Sequence, residues 1–129
     1  MWVYYNPNPT GKHVGDCSIR AVTKATGEDW ETAYCGVVMQ GLAMKNMPSS
    51  NSVWGTYLRR KGFKRKMLPD ECPECYTVEQ FCEDHPKGLY VVAVQGHVLT
   101  VLDGDYYDAW DSGKETPIFY YYFDEGKNE

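Results

Sequence analysis

The chain has 129 residues, 43% of them hydrophobic and 15% aromatic, which predicts a single domain over residues 1–129 with a core filled largely by its eleven tyrosines and four tryptophans. Its net charge of -5, from 18 acidic against 13 basic residues, lacks the basic excess that a nucleic-acid-binding surface needs. No apolar run approaches the roughly 20 residues of a membrane span, and Met1–Pro7 lacks the charged and apolar regions of a signal peptide, so the expected compartment is the cytoplasm, where thiols stay reduced.

Residues 1–14 read as extended or irregular, punctuated by Pro7, Pro9 and Gly11. A first helix is expected over Cys17–Thr26, capped by Asp16 and ended by Gly27, with Ile19 and Val22 as its apolar stripe. A second follows over Asp29–Leu42, with Asp29 as cap and Trp30, Tyr34, Val37, Val38 and Gly41 at helical spacing. Residues 43–51 read as a loop. A third helix is expected over Ser52–Lys61, with Val53, Tyr57 and Leu58 inward and Gly62 as the stop, then a short strand over Phe63–Leu68 and a loop over Pro69–Tyr76. The basic cluster Arg59, Arg60, Lys61, Lys64, Arg65 and Lys66 reads as a solvated face. Thr77-Val78-Glu79-Gln80 has the form of a capping box, opening a short helix to about Asp84. The rest is strand-like: Leu89–Gln95, His97–Leu102, Asp105–Asp111 and Ile118–Phe123, with Asp103-Gly104 a strong hairpin turn. Helices first and an antiparallel sheet last make an α+β fold.

Three residues carry candidate chemistry. Cys17 opens the first helix, where unpaired N–H groups and the helix dipole favour a thiolate. His97 opens a strand with an apolar run on either side, so it is expected near the sheet core with a partner. The partner follows from register. A two-residue turn at Asp103-Gly104 pairs Leu102 with Asp105 and puts Asp108 diagonally beside His97. A three-residue loop would pair His97 with Asp111 and make that residue the orienting acid instead. The turn signal favours Asp108. A thiol, its base and an orienting carboxylate form the machinery of nucleophilic catalysis. For the oxyanion, the Cys17 N–H is one candidate donor. Asn6 and Asn8 are the side-chain amides upstream, equally suited to being turn residues.

Gly15-Asp16-Cys17 at a helix start, Gly96-His97-Val98 at a strand start and Asp108-Ala109-Trp110 together resemble the papain-like cysteine peptidases, in particular their compact bacterial and phage-type members such as the bacteriocin-processing peptidases. The resemblance implies a papain-like fold in which helices carrying the nucleophile pack on a C-terminal sheet. It implies Cys17 as nucleophile, His97 as base, Asp108 as the residue that orients the histidine, and Trp110 as the cover of that contact. It further implies a thiol hydrolase that cleaves peptide or isopeptide bonds through an acyl-enzyme thioester, with a peptide or protein substrate between helices and sheet and no required cofactor. The chain departs from the family's pattern in three ways: it has no upstream Gln, the spacing from histidine to acid is short, and the chain is small without the disulfide pattern of the secreted members.

Cys72, Cys75, Cys82 and His85 give the spacing C-x2-C-x6-C-x2-H, which could hold a structural zinc, although Val78, Phe81, Cys82 and His85 also fall at helical core spacing. Two further functional readings stay open: an acyltransferase using the same site, and a catalytically inactive binding or inhibitory module of the same fold.

Overall fold

The computed structural model describes residues 1–68 and 76–123. Their elements run β1 (Trp2–Tyr4), α1 (Cys17–Thr26), α2 (Trp30–Met44), α3 (Asn51–Arg60), β2 (Phe63–Met67), α4 (Val78–Asp84), β3 (Leu89–Val94), β4 (His97–Leu102), β5 (Asp105–Asp108) and β6 (Phe119–Phe123). The strands make one sheet in the order β1-β5-β4-β3-β6-β2. The fold is α+β, with two corrections to the expected arrangement. The sheet is mixed, because β1 pairs parallel with β5 while the other pairs are antiparallel. Its two edge strands also lie outside the C-terminal run of strands: β1 precedes the helices and β2 follows α3. Trp2-Val3-Tyr4 is a short run of good strand formers, and Phe63–Met67 zips onto β6 through five consecutive pairs.

The local signals explain most boundaries. Gly27 ends α1 in the left-handed conformation, its N–H donating to the Thr23 carbonyl. Asp29 caps α2 by accepting from the Thr32 N–H at 2.7 Å. The Thr77–Gln80 capping box forms in both directions. Asp103 and Gly104 both take positive φ, 49° and 84°, as a two-residue hairpin turn between antiparallel strands requires.

Two other expectations fail at α2. The helix runs past Leu42 to Met44, and its buried face is Ala33, Val37, Gln40 and Gly41, while Tyr34 is exposed and Val38 half-buried. The cause is that α2 is apolar nearly all round, with Cys35, Met39 and Leu42 outside, so apolar spacing offers no contrast between faces. Small residues decide instead. A Cβ on Gly41 would sit 2.7 Å from the Asn46 carbonyl oxygen, so only glycine permits that approach.

The sheet is covered on both faces. Helices α1–α3 bury Ile19, Val22, Val37, Trp54 and Leu58 against Val91, Val98 and Tyr121. On the opposite face α4 packs Val78, Phe81 and Cys82 against Val92, Leu99, Val101 and Tyr120. Among the described residues no helix is long and apolar enough to cross a membrane. Leu58 is completely buried in the first cluster. Leu58→Ala should therefore cost about 2–5 kcal/mol of stability, read as a lowered urea midpoint at unchanged slope.

Candidate active site

Cys17 is the first residue of α1 and is half-buried. His97 is the first residue of β4 and Asp108 the last of β5. Because β4 and β5 run antiparallel in the register Leu102↔Asp105, Val101↔Tyr106 and Thr100↔Tyr107, the start of one strand lies beside the end of the other. This is the two-residue-turn register, and it decides between the two acids. Asp108 Oδ2 lies 2.6 Å from His97 Nε2. Asp111 turns elsewhere, accepting from the Tyr106 hydroxyl and the Gly113 N–H.

Helix α1 lies across β4 and is pinned there by the Thr100 hydroxyl, which donates to the Ala21 carbonyl at 2.8 Å. That packing brings the thiol to the histidine. His97 and the Val98 backbone lie close enough to Cys17 to act on its thiol. With Nε2 committed to Asp108, the other ring nitrogen is left for sulfur. Trp110 lies over the imidazole with ring centroids 4.8 Å apart, where the resemblance put a cover, though its outer surface stays exposed.

The electrostatics follow from these contacts. Burial works against a charged imidazolium, but the bond to Asp108 and the nearby Cys17 sulfur outweigh it and raise His97 to about 9. Burial likewise opposes the thiolate, yet the nearness and charge of His97, the Val98 backbone and the charge of Arg20 hold the Cys17 thiol below its ordinary value. Asp108 is completely buried, and its ionised form prevails over that burial because His97, Ser112 and Arg20 all favour it.

Sequence reasoning missed the residues around Asp108. Ser112 Oγ donates to its Oδ2 at 2.6 Å, the Ala109 N–H donates to its Oδ1 at 2.8 Å, and Arg20 Nη2 donates to the same Oδ1 at 3.0 Å. The Asp108 carbonyl accepts from the Trp2 indole at 3.0 Å and from the Tyr5 N–H at 2.9 Å. The N-terminal segment thus holds Asp108 in place. Asp16, expected to cap α1, stands at the cap position without making a side-chain cap bond. Its oxygens take Arg20 Nη1 at 2.8 Å and the Trp30 indole N–H at 2.9 Å. An arginine three residues after Cys17, inside an otherwise apolar stripe, is the one signal in the sequence for this arrangement.

The upstream amides serve as turn residues. Asn8 Oδ1 accepts from the Thr10 N–H and hydroxyl, and Asn6 donates to the Gly11 and Lys12 carbonyls. Of the zinc candidates, Cys72 and Cys75 lie outside the described residues. Cys82 is buried in the core under α4, where burial first, then nearby carboxylates, push its thiol up to about 11. His85 stacks on Phe81 at 4.0 Å, with Nδ1 on the Phe81 carbonyl. These two side chains fit the helical core spacing. Among the described residues no cluster of three or more His, Cys, Asp or Glu is placed to hold a metal ion.

Asp108→Asn removes the negative charge from the imidazole's partner while keeping an oxygen for its neighbours. His97 should then titrate well below about 9 in an NMR pH titration. Asp111→Asn should leave the His97 titration unchanged.

No family model, no curated protein and no solved structure matches this chain, so its site is read from its own geometry.

Proposed function

We propose that this chain is a thiol hydrolase of papain-like type, a cysteine peptidase or isopeptidase acting through Cys17, His97 and Asp108. One observation carries the reading: a thiol at a helix start lies beside an imidazole that lowers its pKa and whose Nε2 sits 2.6 Å from a buried carboxylate. In this reading the Cys17 thiolate attacks the substrate carbonyl carbon, and the carbonyl electron pair moves onto oxygen. The Cys17 N–H at the start of α1 is the first candidate to stabilise that oxyanion. Collapse of the tetrahedral species breaks the bond to the leaving amine, which takes its proton from the His97 imidazolium. An acyl thioester on Cys17 remains. Neutral His97 then removes a proton from water, the resulting hydroxide displaces the thiol, and a carboxylic acid leaves. If an amine takes the place of water, the same steps transfer the acyl group.

Asp108 keeps the imidazole in the tautomer and rotamer that serve both steps. Trp110 shields that contact on its outer side. The substrate is a peptide or protein segment reaching the half-buried thiol where α1 meets the sheet.

The sign of the pH dependence follows from the two shifts. The thiolate is present above the lowered Cys17 value, and the imidazolium is present below about 9. Hydrolysis should therefore rise at an acidic limb and fall as pH passes through about 9. Alkylation of Cys17 by iodoacetamide, followed by mass spectrometry against pH, should reach its plateau well below the reference thiol value of about 8.5, and His97→Ala should move the curve up. Curves near that value in both proteins would contradict the reading and favour a binding module with a vestigial site.

A further inference from the structure

Arg20 has a side chain only 7% exposed, and its guanidinium forks between two carboxylates, Asp16 on its own helix and Asp108 on β5. Asp16 is held in turn by the Trp30 indole of α2. Among the described residues no buried side-chain polar atom lacks a partner, so this chain of contacts is fully satisfied. A buried ion cluster is a poor device for stability, because desolvation offsets most of the attraction. Its placement points to another purpose. One guanidinium nitrogen holds the carboxylate beside the nucleophile and the other holds the carboxylate that orients the base.

We infer that Arg20 is a positioning residue for the Cys17–His97 pair, tying the orienting carboxylate to the helix that carries the nucleophile and balancing the charge on both. The inference rests on the thiol-hydrolase reading of the site. Asp108 has two oxygens and four side-chain contacts. Oδ2 serves His97 and Ser112, while Oδ1 serves Arg20 and the Ala109 N–H. The planar fork of arginine fixes which oxygen faces the imidazole, which a flexible lysine ammonium would do less well.

The charge argument has the same direction. Among the described residues, Asp108 of β5 acts on the imidazole and Arg20 of α1 on the thiol, while Asp16 at the cap of α1 faces Arg20. The indole of Trp30 and the hydroxyl of Ser112 contribute no charge. Removing Arg20 leaves Asp16 without its counter-charge and Asp108 with only that of the imidazole. A nearby cation opposes an imidazolium and favours a thiolate, so its loss makes His97 harder to deprotonate and Cys17 harder to ionise.

The test uses the full chain in wild type, Arg20→Met and Asp16→Asn, with circular dichroism to confirm folding. Two quantities are read: the rate of Cys17 alkylation at about pH 6 relative to the exposed Cys35 of the same chain, and the midpoint of the His97 NMR titration. In Arg20→Met, Cys17 alkylation should slow at least about fivefold and His97 should titrate higher than in wild type. Asp16→Asn removes one claimant on the guanidinium and should move the His97 titration the opposite way, downward. A folded Arg20→Met protein with both readouts at wild-type values would overturn the inference, since a merely structural arginine moves only stability. If Arg20→Met does not fold, Asp16→Asn decides: a downward shift supports the inference and no shift overturns it. A wild-type Cys17 that reacts no faster than Cys35 at that pH would instead contradict the thiol-hydrolase reading itself, and the inference with it.

Discussion

The arrangement of the site depends on one buried carboxylate. Asp108 has no exposed surface, and a lone charge there would be expensive. It is tolerated because four donors converge on it: the imidazole of His97, the hydroxyl of Ser112, the guanidinium of Arg20 and the N–H of Ala109. The donors come from three separate parts of the chain, so the carboxylate fastens α1, β4 and the turn after β5 to one point. The Trp2 and Tyr5 contacts to its carbonyl add the N-terminal segment. Removing one partner of such a group costs more than the pair contributed, because the remainder stays buried without compensation.

Placement of the nucleophile follows from the packing around that point. The Thr100 hydroxyl on the Ala21 carbonyl seats α1 on β4, and the positive-φ turn at Asp103-Gly104 sets the register of β4 against β5. A one-residue slip in that register would carry Asp108 away from the imidazole and turn a different set of side chains toward the core. The chemistry proposed for Cys17 is therefore as firm as a hairpin turn and a helix–sheet contact, both common and local structures. The less common element is the ion network of Asp16, Arg20 and Asp108 beneath them.

Much of this was legible in the sequence wherever a local signal has a single structural meaning. Gly27, Asp29, the Thr77–Gln80 box and Asp103-Gly104 each dictate a backbone geometry, and the boundaries near them hold. The position of Asp108 beside His97 followed from counting residues back from that turn. Other features depend on contacts distant in sequence and carry no local mark. Strand β1 is three residues long and gains its partner from β5, a hundred residues away. The inward face of α2 was misread because its apolar residues surround the helix. Asp16 read as a cap because aspartate before a helix usually is one, and the buried Arg20 took its carboxylate instead. The resemblance to the papain-like family rests on three short segments and their order in the chain.

The central claim is that Cys17 forms an acyl intermediate with the help of His97. The most direct measurement is intact-mass and peptide mass spectrometry after brief exposure to an activated acyl ester, with Cys35 as the exposed comparison thiol in the same molecule. The account predicts rapid acylation confined to Cys17, followed by loss of the acyl group to water, with both steps abolished in His97→Ala. Acylation of Cys17 no faster than that of Cys35, or an adduct on Cys17 whose formation is indifferent to His97, would contradict it.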